Sequence, residues 1–517
     1  MARTGGSRRN VSRTGTRTSR TAVAAALAVL LALAGCGSRG RGDSPAGRWS
    51  EADLRYGAAP ADDLGVTLQP DVVIVRGGGN AIRSVSADGL TWRIDAHAPG
   101  AGDLAPGKVM FVTERAVGRV LDLAPDGDDL LVTIGPVDLV EVIRDGTLAG
   151  SDVTLEDPIV YAAGDPFWAE EPSASSGTSQ SVGLVSGRYG SAGRASSASG
   201  AVSAGGAVSA QAAGAPQPEP QRGGTATSRV RGYSVYTTCC VPGVGARFSY
   251  DDGGVRLVGT VTLTTSRPTA SFHVAIGGGT VTRAELEIGG GFGIKVDFEA
   301  AISDGVNHAK EFQIPADVSF PIGQLAGIPI SFTVSQTLTV QTAFGAKLGS
   351  IKGSGEFTLA GALGFGYVNG QVGPRVTQNF SRVSSLINSL TGVPVGVMGL
   401  VIRHGVRFTV GIGALLFKAG VYFGLSTSYG ATLGSALGAP LAQCRGVALG
   451  VHARYGVGYT ILEPVVTVIN KFLSLLRPIR ALNIKPINPS GGISWTAPIY
   501  TAEEVIPDVQ LCGHAPK

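Results

Sequence analysis

Apolar side chains recur at every second position through long stretches of the C-terminal half of this chain. In residues 447–459, Val, Leu, Ala and Tyr alternate with smaller or polar residues. Successive side chains of a β-strand point to opposite faces, so this pattern predicts strands with one apolar and one polar face. Eleven such residues span roughly 36 Å, about twice the usual strand length. We therefore predict that residues 232–517 form a large antiparallel β domain with long strands. Further stretches with this period are 255–263, 292–300, 330–340 and 357–367.

Two segments of this domain have helical rather than strand periodicity. Apolar side chains in residues 383–390 recur at the spacing of one helix face. Residues 464–476 are strongly apolar and are followed by Arg477 and Pro478. A helix that is apolar around most of its surface is normally buried. We therefore expect one or two helices, the second packed over an open end of the sheet.

A second β region precedes the large domain. Residues 66–165 contain five short β-type stretches separated by Gly, Pro and Asp turns. Such a series predicts a small β-barrel or β-sandwich. Acidic residues outnumber basic ones in this region, and the Asp-rich segment 124–129 predicts a hairpin turn. We also expect one or two helical turns within residues 138–144.

Residues 172–230 consist mainly of Ser, Ala, Gly, Gln and Pro. They contain too few large apolar side chains to offset the entropy of ordering, so we predict a disordered linker. A flexible chain of this length has a typical end-to-end distance of roughly 40–45 Å. The two β domains are therefore expected to be loosely coupled.

The N-terminal segment has the features of an export signal. Residues 1–20 contain six arginines and no acidic residue, and residues 22–34 are wholly apolar. This apolar run is too short for a comfortable membrane span. It ends in a Leu-Ala-Gly-Cys sequence whose cysteine is Cys36. That sequence resembles the lipobox of bacterial lipoproteins.

The resemblance implies that residues 1–35 are a signal peptide and that Cys36 carries lipid as the first residue of the mature protein. Acyl chains contribute roughly 0.8 kcal/mol per buried CH₂, so two or three chains hold a protein firmly at a membrane. We therefore expect a lipid-anchored protein on the extracytoplasmic face of the cell membrane or cell envelope. Residues 36–65 would then form a tether near the membrane.

The distribution of charge argues against a nucleic-acid partner. Removal of residues 1–35 would take away six arginines and no acidic residue, which changes the formal net charge from +4 to −2. The basic character of the whole chain therefore belongs to its leader.

Four cysteines follow Cys36, namely Cys239, Cys240, Cys444 and Cys512. An even number of cysteines in an oxidising compartment predicts disulfides, and three pairings are open. Either Cys239 and Cys240 cross-link to the other two cysteines, or they bond to each other. Because no CxxC motif or nearby histidine cluster accompanies them, these cysteines do not indicate a metal site, and no cofactor is expected.

The long alternating strands leave open what the large domain does. Strands of about 9–11 residues also have the dimensions of an outer-membrane barrel strand. The lipid anchor, the apolar segment 464–476 and the proline-rich tail favour a curved sheet or sandwich instead. Its interior would be either packed solid or a tunnel for an acyl chain. Gly361 and Ala453, which leave little side-chain volume, mildly favour a cavity.

Common catalytic motifs are missing from the sequence. The chain has no GxSxG, HExxH or Walker motif, and its six histidines are scattered. Asp297 and Glu299 would share one strand face about 7 Å apart, which suits a pair of catalytic carboxylates. Lys295 beside them favours an exposed row of charges instead. His452, two residues from Arg454, is expected to be solvated.

These observations predict a lipid-anchored envelope protein with a non-catalytic structural or binding role, whose partners are the membrane and a lipid or envelope component. Two alternatives stay open. The first is a carrier that holds lipid or another apolar ligand in a cavity of the large domain. The second is an envelope hydrolase that uses His452 or Glu299.

Overall fold

The computed structural model describes residues 50–86, 89–156, 159–162, 221–222, 227–230, 233–238, 243–252, 254–265, 268–303, 308–313, 316–344, 348–360, 362–368, 370–374, 379–382, 389–394, 398–413, 417–436, 439–459, 461, 466, 470, 486, 488 and 490–506. Strands dominate this part of the chain and form four sheets, which confirms the prediction of a mainly β fold. We number the strands in chain order.

Sheets I and II contain strands from both β regions. Sheet I has six strands in the order β1 (Thr67–Leu68), β8 (Ile143–Thr154), β15 (Thr269–Gly277), β16 (Thr280–Gly289), β22 (Leu363–Val368) and β23 (Gln371–Pro374). Sheet II has nine strands in the order β10 (Gln221–Arg222), β9 (Ile159–Ala162), β19 (Ala316–Leu325), β20 (Ile328–Phe344), β26 (Met398–Ile412), β27 (Ala419–Ala436), β28 (Ala439–Gly458) and β29 (Ile493–Ile506), with β18 (His308–Gln313) paired to β20.

Sheet III belongs to the C-terminal region and sheet IV to the N-terminal region. Sheet III has the order β11 (Thr227–Val230), β12 (Tyr233–Thr238), β13 (Gly243–Asp252), β14 (Val255–Thr265), β17 (Phe292–Ile302), β21 (Gly349–Ala360) and β24 (Asn379–Arg382), with β25 (Thr391–Pro394) paired to β21. Sheet IV has the order β2 (Val72–Ile74), β5 (Val109–Phe111), β6 (Val117–Asp126), β7 (Asp129–Gly135), β4 (Thr91–Asp95) and β3 (Ile82–Val85). Among the described strands, all pairings are antiparallel except that of β2 with β5.

Helices are short and few among the described residues. They are α1 (Glu51–Tyr56), α2 (Leu139–Val142) and two 3₁₀ turns, Gly78–Ala81 and Ala101–Asp103. The short helix expected within residues 138–144 is confirmed as α2, for which Asp138 is the N-cap. The two helices expected at residues 383–390 and 464–476 lie almost entirely outside the described residues.

Sheets I, II and III share one hydrophobic core. Alternate side chains of their strands are buried in it, among them Val296 of β17, Phe332 of β20 and Leu449 of β28. The period-two pattern of residues 292–300 and 447–459 is thus confirmed as strands. The longest of the described strands is β28, with 20 residues.

Stacked aromatic rings join sheets I and II inside this core. The ring of Tyr455 on β28 lies 5.2 Å from that of Phe365 on β22 and 6.3 Å from that of Phe423 on β27. The ring of Trp495 on β29 lies 6.2 Å from Tyr455 on the other side. Offset aromatic pairs at such distances add about 0.5–1.5 kcal/mol each beyond the burial of their surface.

The N-terminal and C-terminal β regions are joined by shared sheets. Strand β8 pairs with β15 in sheet I, and β9 pairs with β19 in sheet II. The expectation that the two regions are loosely coupled is therefore wrong. The reason is that the hydrophobic side chains of β8 enter the core shared by sheets I to III, as the burial of Ile143 and Leu148 shows.

Residues 50–65, which fall in the expected tether, also pack against the rest of the protein. Ser50 caps α1, and the ring of Tyr56 packs edge-on against Trp92 of sheet IV at 6.5 Å. The backbone N–H groups of Ala61 and Gly65 donate to carbonyls of the turn between β19 and β20. This stretch therefore contacts both sheet IV and sheet II.

A polar junction lies where the N-terminal region covers one end of the outer face of sheet II. Ser331 and Thr333 of β20 are only 2% and 1% exposed there, although their pattern predicts a solvated face. Lys418 Nζ donates to Thr333 Oγ1 at 2.8 Å, and the guanidinium of Arg115 lies 3.3 Å from the centre of the Tyr161 ring. Burial raises the pKa of the neighbouring Glu114 carboxyl, while Lys418 and Arg115 act to lower it.

Sheet III contains a row in which phenylalanine and glycine alternate across four strands. Phe248 of β13 faces Gly259 of β14, Gly259 faces Phe298 of β17, and Phe298 faces Gly353 of β21. A Cβ atom on Gly353 would lie 2.9 Å from the Phe298 ring, and one on Gly259 would collide with the ring of Phe248. Each ring therefore lies across the glycine of the next strand, a known device for building curved sheets.

We predict that Gly353→Ala and Gly259→Ala each lower the free energy of unfolding by about 1–3 kcal/mol, because the added methyl group displaces a buried ring. The matched control is Gly373→Ala on β23, where no heavy atom lies within 4 Å of the new Cβ. That change should stay within about 0.5 kcal/mol. Urea unfolding measures the free energy of unfolding of all three variants. Equal stability of the three variants would contradict the role of the row.

Candidate functional site

A groove with a volume of about 510 Å³ lies on the face of sheet III opposite the shared core. Side chains from four strands line it. They are Arg247 of β13, Arg256 of β14, Asp297 and Glu299 of β17 and Lys352 of β21. The phenylalanine–glycine row runs directly beneath, and its residues Gly259, Phe298 and Gly353 also contact the groove.

The register of the strands brings these side chains to one surface. Asp297 faces Thr260 on one side and Ser354 on the other, while Glu299 faces Val258 and Lys352. Residues directly opposite each other in antiparallel strands place their side chains on the same face. The groove is therefore built from residues that lie about 100 positions apart in the chain.

Ser389 closes one side of the groove. Strand β21 pairs with β24 at one end and with β25 at the other, and Ser389 stands between these two partners. Its Oγ accepts a hydrogen bond from Ser354 N at 2.7 Å and donates one to Ser354 O. This side chain thus replaces the backbone of a neighbouring strand at Ser354.

Charges in the groove are only partly paired. Lys295 Nζ lies 3.8 Å from the carboxylate of Asp297, and both side chains are about half exposed. By contrast, Arg247, Arg256 and Lys352 form no ion pair with any residue that the structure describes, and neither does Glu299. The structure therefore has the exposed row of charges expected at residues 295–299, together with three cationic side chains that the sequence analysis did not single out.

His452, the other residue that the sequence analysis considered for hydrolysis, lies outside the groove. His452 is exposed on β28 of sheet II, where it faces Ser426 and Pro498. Glu299 is on sheet III, so the structure places the two residues considered for hydrolysis on different sheets.

A buried polar pair inside the core was missed by the sequence analysis. His404 of β26 and Gln336 of β20 are 3% and 2% exposed, and His404 Nε2 donates to Gln336 Oε1 at 2.9 Å. The signal is present in the sequence, because Gln336 and His404 occupy positions where the alternation requires apolar residues. Burial without a compensating charge lowers the pKa of His404 to about 4.

We predict that His404 makes the protein less stable in mild acid. Between pH 6.5 and about 4 the unfolded state binds a proton that the folded state does not. The stability contributed by neutral His404 is therefore complete above pH 6.5 and is lost as the pH falls toward 4. On going from pH 7 to pH 4.5, the wild type should lose about 2–3 kcal/mol more unfolding free energy than His404→Gln.

Urea unfolding at the two pH values measures this difference, with His452→Gln as the control at an exposed histidine. Burial raises the pKa of Asp138 to about 6, and this shift changes stability in the opposite direction over the same range. Because wild type and His404→Gln both contain Asp138, the difference between their pH dependences reports the contribution of His404 alone. The same pH dependence in wild type and His404→Gln would contradict the prediction.

The predicted lipidation and disulfide residues lie mostly outside the described residues. Cys36, Cys239, Cys240 and Cys512 are all outside them, whereas Cys444 is half-buried on β28 and faces Gly434 of β27. Within the described ranges, no group of three or more His, Cys, Asp or Glu side chains is arranged to hold a metal ion. In the same ranges, every helix is too short or too polar to cross a membrane.

Comparison with models of protein families gives two matches. Residues 52–145 match a domain of unknown function (DUF8403), and residues 214–495 match another domain of unknown function (DUF8402). No curated protein and no solved structure matches the chain. Because the second family model matches more than half of the 517 residues, the chain belongs to the DUF8402 family.

Proposed function

We propose that this protein is a non-catalytic, lipid-anchored component of the bacterial cell envelope that binds an envelope constituent in the groove on sheet III. One observation carries this proposal. Three cationic side chains without ion-pair partners among the described residues, Arg247, Arg256 and Lys352, line one concave surface. Cationic groups that are exposed and unpaired can exchange water for a ligand without first breaking an internal ion pair.

The geometry supports binding better than hydrolysis. A hydrolase with paired carboxylates needs two acidic side chains that can act as acid and base. Asp297 is instead engaged by Lys295, and His452 belongs to another sheet. The carrier alternative has less support, because the stacked rings around Tyr455 occupy part of the space between sheets I and II.

The proposed anchor would hold the folded part of the protein close to the membrane. Helix α1 begins at Glu51, so 14 residues separate it from Cys36. A fully extended chain of this length spans at most about 50 Å. Since residues 50–65 pack against sheets II and IV, only the residues before Ser50 are left to provide this reach.

The proposed location implies a state for one cysteine. We propose that Cys444, which is half-buried on β28, forms a disulfide. Disulfides persist in oxidising compartments outside the cytoplasm. We propose that Cys239, Cys240 and Cys512 supply the remaining disulfide sulfurs.

We predict that Cys36→Ala abolishes incorporation of a radiolabelled fatty acid and moves the protein from the membrane fraction to the soluble fraction. The reason is that the acyl chains on Cys36 would supply the membrane affinity. Cys444→Ser is the matched control and should keep both the label and the membrane fraction. An unlabelled wild-type protein would contradict the proposed anchor.

We also predict that the full chain co-sediments with purified, insoluble cell-wall material. A triple variant, Arg247→Gln, Arg256→Gln and Lys352→Gln, should lose most of this binding, because its groove lacks all three cations. Arg403→Gln, at an exposed arginine of sheet II, is the matched control and should bind like the wild type. Binding that is equal in the triple variant and the wild type would exclude the groove as the binding site.

A further inference from the structure

The three unpaired cations of the groove stand on three separate strands, β13, β14 and β21, and their backbone positions are well separated. Neighbouring strands lie about 4.8 Å apart, and residues along a strand rise about 3.3 Å each. From the register, the Cα atoms of Arg247 and Arg256 are roughly 14 Å apart, and that of Lys352 lies roughly 12–16 Å from both. Side chains of a strand stand roughly perpendicular to the sheet and so tend to keep this separation. An extended polymer with repeated negative groups therefore matches all three cations better than a single carboxylate or phosphate does.

Glu299 lies between the cations and restricts which polymer fits. It faces Lys352 on one side and Val258 on the other, and it is exposed without an ion-pair partner among the described residues. A negative group next to this carboxylate would be repelled, whereas a hydroxyl group would donate a hydrogen bond to it. The groove therefore favours negative groups that are separated by hydroxyl-bearing units.

The remaining polar groups of the groove suit the same ligand. Thr260 and Ser354 flank Asp297 in the register, and their hydroxyl groups can both donate and accept hydrogen bonds. Lys295 Nζ, 3.8 Å from the Asp297 carboxylate, offsets part of its charge, so Asp297 opposes an anionic chain less than Glu299 does. A sugar or polyol unit offers several hydroxyl groups that can form hydrogen bonds with these side chains.

We infer that the groove on sheet III binds an anionic polymer of sugar or polyol units, whose acidic groups contact Arg247, Arg256 and Lys352 while its hydroxyl groups lie at Glu299. The inference rests on the proposed binding function and names the chemical class of the ligand. It does not depend on whether the acidic groups are carboxylates or phosphates.

Isothermal titration calorimetry of the full chain with four probes tests the inference. Polygalacturonate supplies carboxylates separated by hydroxyl groups, and a poly(glycerol phosphate) with free hydroxyl groups supplies phosphates in the same way. Inorganic polyphosphate supplies dense charge without hydroxyl groups, and dextran supplies hydroxyl groups without charge. At least one of the first two should bind, and both polyphosphate and dextran should bind at least tenfold more weakly than that probe.

Variants then locate the binding. Each of Arg247→Gln, Arg256→Gln and Lys352→Gln should raise the Kd about three- to tenfold, and Arg403→Gln should leave it unchanged. A rise in salt from 50 to 300 mM should weaken binding at least threefold, because exposed charges are screened. Glu299→Gln removes the carboxylate that repels dense negative charge. The difference in Kd between polyphosphate and the hydroxyl-bearing polyanions should therefore be smaller in this variant than in the wild type.

Three outcomes would overturn the inference. They are failure of both hydroxyl-bearing polyanions to bind, polyphosphate binding as tightly as they do, and binding that the groove substitutions leave unchanged. In each of these cases, the proposed function would still stand if the wild type binds cell-wall material and the triple variant does not. If the protein bound neither the polyanion probes nor cell-wall material, both proposals would be wrong.

Discussion

The apolar face of every long strand has to enter one interior, and this requirement determines the architecture. No single sheet of this protein can bury its own apolar face, because each strand presents apolar side chains on only one side. Sheets I, II and III meet this requirement together, with Phe365, Phe423 and Tyr455 in contact where two of them join. The polar faces are then directed outward, which is where the groove on sheet III forms.

Local patterns in the sequence predict the strands well. The alternation in residues 292–300 and 447–459 corresponds to β17 and β28, and Gly290 and Gly291 form the turn before β17 with positive φ angles of 109° and 66°. These features depend only on neighbouring residues. The pairing of strands does not, since β14 pairs with β17 although the two strands between them in the chain, β15 and β16, belong to another sheet.

The polar junction and the groove show why the buried polar contacts and the candidate site could not be predicted from the sequence. Ser331 and Thr333 look like solvent-facing residues, but a hydroxyl group is equally satisfied by Lys418 in a covered interface. In the groove, Arg247 and Lys352 come from strands about 100 residues apart, so no sequence motif connects them. The buried pair of Gln336 and His404 differs, because it interrupts an apolar pattern and could therefore have been found from the sequence.

The pairing of β9 with β10 has a consequence for the long segment between them. Gln221 faces Val160 and Arg222 faces Ile159, so residues 163–220 start and finish at adjacent positions on one sheet. The entropy of closing a loop grows only logarithmically with its length, and a twofold change costs about 0.6 kcal/mol. This segment can therefore lengthen, shorten or accept an inserted sequence during evolution with little effect on the sheets that hold its ends.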